Sequence, residues 1–138
     1  MSKADLISLR SELERTRDNV HNDLQGVKYA LYGYKDGGNI ADNSNTLVVE
    51  EEGEAGGLEE LLGQFNSGRI QYGLAGIKLE MGVKCVLIAW QGEGAPILRK
   101  SVCAHHLPDI ISFLRPSSTF IARFEEELDL DTIIKSFS

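Results

Sequence analysis

The chain is poor in several residues that would otherwise narrow its class. It holds two cysteines, three prolines and one tryptophan in 138 residues. Cys85 and Cys103 cannot by themselves build the disulfide framework of a small secreted scaffold, which fits a reducing, cytoplasmic setting. Long apolar runs are missing too. The longest, Val86 to Trp90, is far short of the roughly 20 residues needed to span a bilayer, so no membrane partner is expected. The opening Met-Ser-Lys-Ala-Asp has charge but no apolar signal core. Internal repeats, linkers and low-complexity stretches are absent. With 42% hydrophobic and 25% charged residues, residues 1–138 read as one folded domain.

Positive charge is scarce and unevenly placed. Glu50 to Glu60 holds six Glu and no base, and Glu125 to Asp131 holds three Glu and two Asp. These runs carry eleven acids, so with a net charge of −7 the rest of the chain carries +4. Such a chain lacks the broad basic face of a nucleic-acid binder. Tyr29, Tyr32, Tyr34, Tyr72 and Trp90 therefore read as sheet packing, not as a base-stacking platform. The acidic runs read as solvated faces, and a local basic patch facing an acidic partner is left open.

Hydrophobic spacing sets the element order. Leu6, Leu9, Leu13 and Val20 keep helical phase, with Ser2 and Asp5 placed like a capping pair. Val27 to Tyr34 alternates as a strand, Asp36 to Asn39 is turn chemistry, and Thr46 to Glu51 is a second strand. Leu58, Leu61, Leu62 and Phe65 mark a short helix. A hairpin follows: one arm from Ile70 to Leu79, a turn at Glu80-Met81-Gly82, and a return arm from Val83 to Gln91 that is apolar on both faces. Pro96 opens a long helix reaching about Leu114, with Leu98, Val102, Ile110 and Leu114 expected inward and Pro108 expected to kink or break it. Thr119 to Phe124 is a further strand, and Leu130, Ile133, Ile134 and Phe137 form one face of a last helix. The order α-β-β-α-β-β-α-β-α implies an α/β (α+β) fold with a mixed five-stranded sheet and helices on both faces.

Enzyme chemistry finds little support. Gly92-x-Gly94 lacks the third glycine of a dinucleotide loop, and neither a phosphate-binding loop nor a nucleophile elbow is present. Cys103 and His106 share a helical face but lack further ligands, so no metal, cofactor or catalytic residue is expected. Cys103 reads as a buried thiol and the neighbouring imidazoles as surface groups. A metal or thiol enzyme using Cys103 and His106 is the rival from another class. What remains is a surface: Arg99 and Lys100 beside Ser101, with Lys84 on the preceding strand. Two cations in a first helical turn oppose the macrodipole by a few tenths of a kcal/mol each, so they suggest a partner's carboxylates.

These residues also carry a resemblance. Tyr29-Ala30-Leu31-Tyr32-Gly33-Tyr34, Glu54-Ala55-Gly56-Gly57-Leu58-Glu59-Glu60-Leu61, Lys84-Cys85-Val86-Leu87-Ile88-Ala89-Trp90-Gln91-Gly92-Glu93 and Arg99-Lys100-Ser101-Val102-Cys103-Ala104-His105-His106 run in order along the chain. Together they resemble the actin-depolymerising-factor homology domain, in its drebrin and coactosin branch. The resemblance implies actin as partner, the long helix inserted between two actin subdomains, and an actin-binding set of Lys84, Arg99, Lys100, Ser101 and His106. Met1 to Lys3 match the family's N-terminal contact loosely. Severing relatives carry more lysines along the long helix and a more basic hairpin, so weak or absent severing is expected. The end at Ser138, without a proline-rich or SH3 extension, suggests a monomeric coactosin-type protein of the actin cytoskeleton. Cofilin-like monomer binding with filament depolymerisation is the alternative, and a role like that of glia maturation factor is a second.

Overall fold

The computed structural model describes residues 4–35 and 45–137. Its elements are α1 (Arg10–His21), β1 (Tyr29–Tyr34), β2 (Leu47–Gly53), α2 (Gly57–Leu62), β3 (Ile70–Leu79), β4 (Gly82–Gln91), α3 (Ile97–Leu114), β5 (Ser118–Ala122) and α4 (Leu130–Ser136), with a 3-10 turn at Glu125–Glu127. The expected order is found. Ser2 and the Asp36 to Asn39 turn lie outside the described residues.

The strands form one sheet in the order β2-β1-β3-β4-β5. All neighbouring pairs are antiparallel except β4 and β5, which run parallel. A parallel pair of sequential strands needs a crossover, and α3 supplies it. Because side chains alternate across a strand, each central strand feeds two cores. Ala30, Tyr32, Tyr34, Tyr72, Leu74, Cys85 and Leu87 pack under Leu13 and Val20 of α1 and Ile110 and Leu114 of α3. Tyr29, Leu31, Ala75, Ile77, Val86 and Ile88 pack under Leu58 and Leu61 of α2, Ile133 of α4 and Phe137 just past its end. The aromatic residues expected in the sheet are all buried.

Local chemistry sets the boundaries. The first helix begins later than its leucine spacing suggests, because the Asp5 carboxylate accepts the amides of Ile7 and Ser8 and holds residues 5–8 in a turn. Asp5 also bridges in parallel to Thr46, which ties this segment to the start of β2. A bulge in β2 leaves Glu50 as an extra residue opposite the Leu31–Tyr32 step. Its carboxylate lies over Gly33, where any Cβ would collide with it, and accepts the Gln71 amide at 2.6 Å.

One expectation for the long helix is narrowed and another is corrected. Pro108 does not break it: α3 is continuous from Ile97 to Leu114. Pro108 and Ala104, whose carbonyl loses its partner, both lie on the exposed side, where water can satisfy that carbonyl. Leu98, expected inward, is 68% exposed. The buried line is Arg99, Cys103, His106, Ile110 and Leu114, a helical stripe headed by polar residues. The helix ends at Arg115, a left-handed residue with φ of 53°, followed by Pro116.

Candidate functional site

With that stripe turned inward, α3 presents the opposite face to solvent. Ile97 and Leu98 lead it, 82% and 68% exposed. Ser101, Ala104, His105 and Pro108 continue it, and among its described residues Asp109 is the single formal charge. Two bare aliphatic side chains on the first turn of a helix, backed by a nearly uncharged surface, are what a docking face needs. The signal was present in the helical phase. Once residues 103, 106, 110 and 114 are taken as one stripe, position 99 falls inward and position 98 outward.

The cations are placed differently from expectation. Arg99 is 3% exposed. One guanidinium nitrogen, Nη1, donates to Asn45 Oδ1 at 3.2 Å, and the group lies 5.2 Å from the centre of the Tyr34 ring. Arg99 therefore cannot offer its charge to a partner in this conformation. Lys100 is half-buried, and its ammonium donates to the Glu93 carbonyl at 3.0 Å. Ser101 is exposed. His106 is not a surface imidazole: it is 1% exposed and its Nδ1 hydrogen-bonds the Tyr34 hydroxyl at 2.9 Å.

Behind the docking face stands a buried polar group. The Tyr34 hydroxyl also meets the Tyr72 hydroxyl at 2.8 Å, and Tyr72 donates to the Cys103 carbonyl at 3.4 Å. Burial pushes both phenols well above their ordinary value. Burial likewise raises the Cys103 thiol, against the opposing pull of Tyr34 and Arg99. Cys103 and His106 thus belong to the packing of α3, and among the described residues no three His, Cys, Asp or Glu side chains converge on a metal position. The Gly92 to Gly94 loop is committed as well: its amides donate to the Arg69 and Ser67 carbonyls at 2.9 and 2.8 Å.

Lys84 sits elsewhere. It is half-buried near the start of β4 and lines a hollow of about 280 Å³ with Leu79, Glu80, Met81 and Phe137. Met81, at the hairpin tip, is 93% exposed. This patch and the first turn of α3 lie at opposite ends of β4, a ten-residue strand and hence about 30 Å long. The structure brings Lys100 and Ser101 together with Ile97 and Leu98, and sets Lys84 apart. Among the described residues no helix is long and apolar enough to cross a membrane.

Comparison with known proteins defines the class. Residues 6–138 match the family described as Cofilin/tropomyosin-type actin-binding protein, and the chain belongs to that family. Drebrin-like protein B of Xenopus laevis is 35% identical over 126 residues, covering 89% of this chain and 32% of the relative. The chain spans between about a quarter and a third of the length of the drebrin-like relatives it matches. Among solved structures, the cofilin homology domain of a yeast actin-binding protein superposes with a TM-score of 0.78 at 18% identity, covering 96% of each chain. Human coactosin-like protein gives 0.74 at 17% identity, over 99% of this chain and 97% of that one. The fold is that of the actin-depolymerising-factor homology domain, and the sequence falls in its drebrin and coactosin branch.

Proposed function

We propose that this domain binds the side of actin filaments in the cytoplasm, as a monomer, with weak or no severing. The observation that carries the reading is the first turn of α3, where Ile97 and Leu98 stand bare on a nearly uncharged face. Lys100 and Ser101 border that face and supply polar contacts at its rim. Arg99 and His106, expected by resemblance among the contacts, lie beneath it and serve it indirectly. The second patch, Lys84 with the Met81 tip, favours a filament over a monomer. Two contact areas toward opposite ends of one strand would let the domain touch two neighbouring subunits of a filament at once. The hairpin tip carries Glu80 and no base, and the outward face of α3 carries no lysine beyond Lys100 at its border. Both features favour binding without severing.

Co-sedimentation tests the reading. The domain should pellet with filaments, leave the pelleted actin fraction unchanged and bind monomers more weakly. Lys84→Ala should lower filament binding more than monomer binding. A fall in pelleted actin with added domain would instead support the cofilin-like, depolymerising alternative.

A further inference from the structure

We infer that Arg99 is a positioning residue for the docking half of α3, acting through Tyr34 and Asn45 without touching the partner; this rests on the docking reading above. The two halves of α3 are anchored by different chemistry. Toward the C-terminus the inward residues are the aliphatic Ile110 and Leu114. In the first half they are Arg99, Cys103 and His106. Apolar packing is non-directional and tolerates rotation of a helix about its axis, whereas hydrogen bonds and a planar group against a ring do not. Tyr34 of β1 receives both directional contacts: its hydroxyl meets His106, and its ring faces the Arg99 guanidinium. Asn45 Oδ1 accepts a hydrogen bond from Nη1 of that guanidinium. Asn45 is itself fixed, since its carbonyl accepts the Asp5 amide at 2.8 Å.

Ile97 and Leu98 are the two residues immediately before Arg99, so its orientation decides where they point. A methionine could fill the same volume without the cost of taking a charge out of water. The guanidinium adds direction, through a rigid donor fork and a flat face that lysine lacks.

The test uses Arg99→Lys, Arg99→Met, Asn45→Ala and Leu98→Ala in the whole chain. In the free protein, amide hydrogen exchange over residues 100–103, the first α3 amides with helical acceptors, should rise at least tenfold in both Arg99 variants and remain unchanged over residues 110–114. Filament affinity should fall about tenfold in both, with the wild-type slope of log affinity against salt. Asn45→Ala should show a smaller loss that does not add to that of Arg99→Met. Adding Leu98→Ala to either Arg99 variant should cost less than it does alone. The inference is overturned if Arg99→Lys keeps full affinity while Arg99→Met loses it with a shallower salt slope, for that marks a direct charge contact. Unchanged exchange, or raised exchange with unchanged affinity, overturns it equally. Should Arg99→Met fail to fold, Arg99→Lys and Asn45→Ala decide the matter. If Leu98→Ala alone leaves filament binding intact, the docking reading fails, while the exchange data still report whether Arg99 holds the helix.

Discussion

Thr16 and Tyr32 share a buried hydrogen bond of 2.8 Å that joins α1 to β1. The Thr16 hydroxyl also lies 3.1 and 3.0 Å from the carbonyls of Glu12 and Leu13. It can donate within its own helix while accepting the phenol proton. The two partners are therefore unequal. Removing the Tyr32 hydroxyl leaves Thr16 satisfied, whereas removing the Thr16 hydroxyl strands a buried phenol. Tyr32→Phe should cost about 1 kcal/mol or less, and Thr16→Val roughly 1–3 kcal/mol. Urea unfolding at neutral pH measures both, and equal losses would contradict the asymmetry.

Acid should loosen the N-terminal segment through Asp5. Its carboxyl is pulled from 3.8 to about 2, chiefly by the Ser8 hydroxyl and then by the Ser8 and Ile7 amides. A carboxyl depressed on folding stabilises while ionised, so its contribution is present above about pH 4 and lost as pH falls toward 2. Asp5 is half-buried with water still reaching its carboxylate, and screening holds the effect to the order of 1 kcal/mol or less. Asp5→Asn should be less stable than wild type at pH 6, with the gap closing between pH 4 and pH 2. Thermal melts across that range decide it; a gap that stays constant with pH assigns the loss to packing.

Neither thiol should react in the native protein. Cys85 and Cys103 are both free and buried. Burial lifts the Cys85 thiol to about 12, leaving almost no thiolate at neutral pH. A disulfide reagent should modify no cysteine within minutes in buffer and both in denaturant. Rapid native labelling of one thiol would mean that its strand or helix opens far more readily than this packing implies.

Much of the fold was legible in the spacing of apolar residues, for reasons local to each element. The doubly apolar arm Val86 to Trp90 can only be a central strand, and Leu130, Ile133, Ile134 and Phe137 leave little choice but a helix. The start of α1 was less legible, because Leu6 and Leu9 keep helical phase while Asp5 diverts the backbone around its carboxylate. In the candidate site, the exposure of Ser101 was readable, whereas the burial of Arg99 was legible only as its helical phase with Cys103, Ile110 and Leu114, a signal that the apolar Leu98 beside it masked. Whether an arginine faces in or out depends on an aromatic ring and an amide supplied by Tyr34 and Asn45, both more than fifty residues away in the chain. Leu98 was misplaced for the same reason: an apolar residue looks like core until a polar one is found to occupy the inward position beside it.

Salt should matter little to binding. Of the cations expected at the start of α3, only Lys100 has its ammonium near solvent, and it already donates to the Glu93 carbonyl. Rim charges change association rate and salt dependence more than affinity. Lys100→Glu should keep the fold and reduce filament affinity only a few-fold, the reduction shrinking as salt is raised. Reversing Arg99 as well is a poor probe of the surface, since it buries a carboxylate against Asn45 Oδ1 and the face of the Tyr34 ring, a substitution that destabilises the fold.

The decisive substitutions are at Ile97 and Leu98. Both side chains lie largely in water, so replacing them with serine removes almost no packing and should change folding stability by no more than about 0.5 kcal/mol. If they are the apolar anchors of the interface, each carries a hot-spot share of roughly 2 kcal/mol, close to thirtyfold in affinity. Leu98→Ser should therefore weaken co-sedimentation far more than Lys100→Glu, with thermal melting unchanged. Its effect should persist at high salt, because burial of apolar surface is not screened. If instead Leu98→Ser binds like wild type while Lys100→Glu abolishes binding, the partner is held by charge at the rim and the apolar turn is incidental.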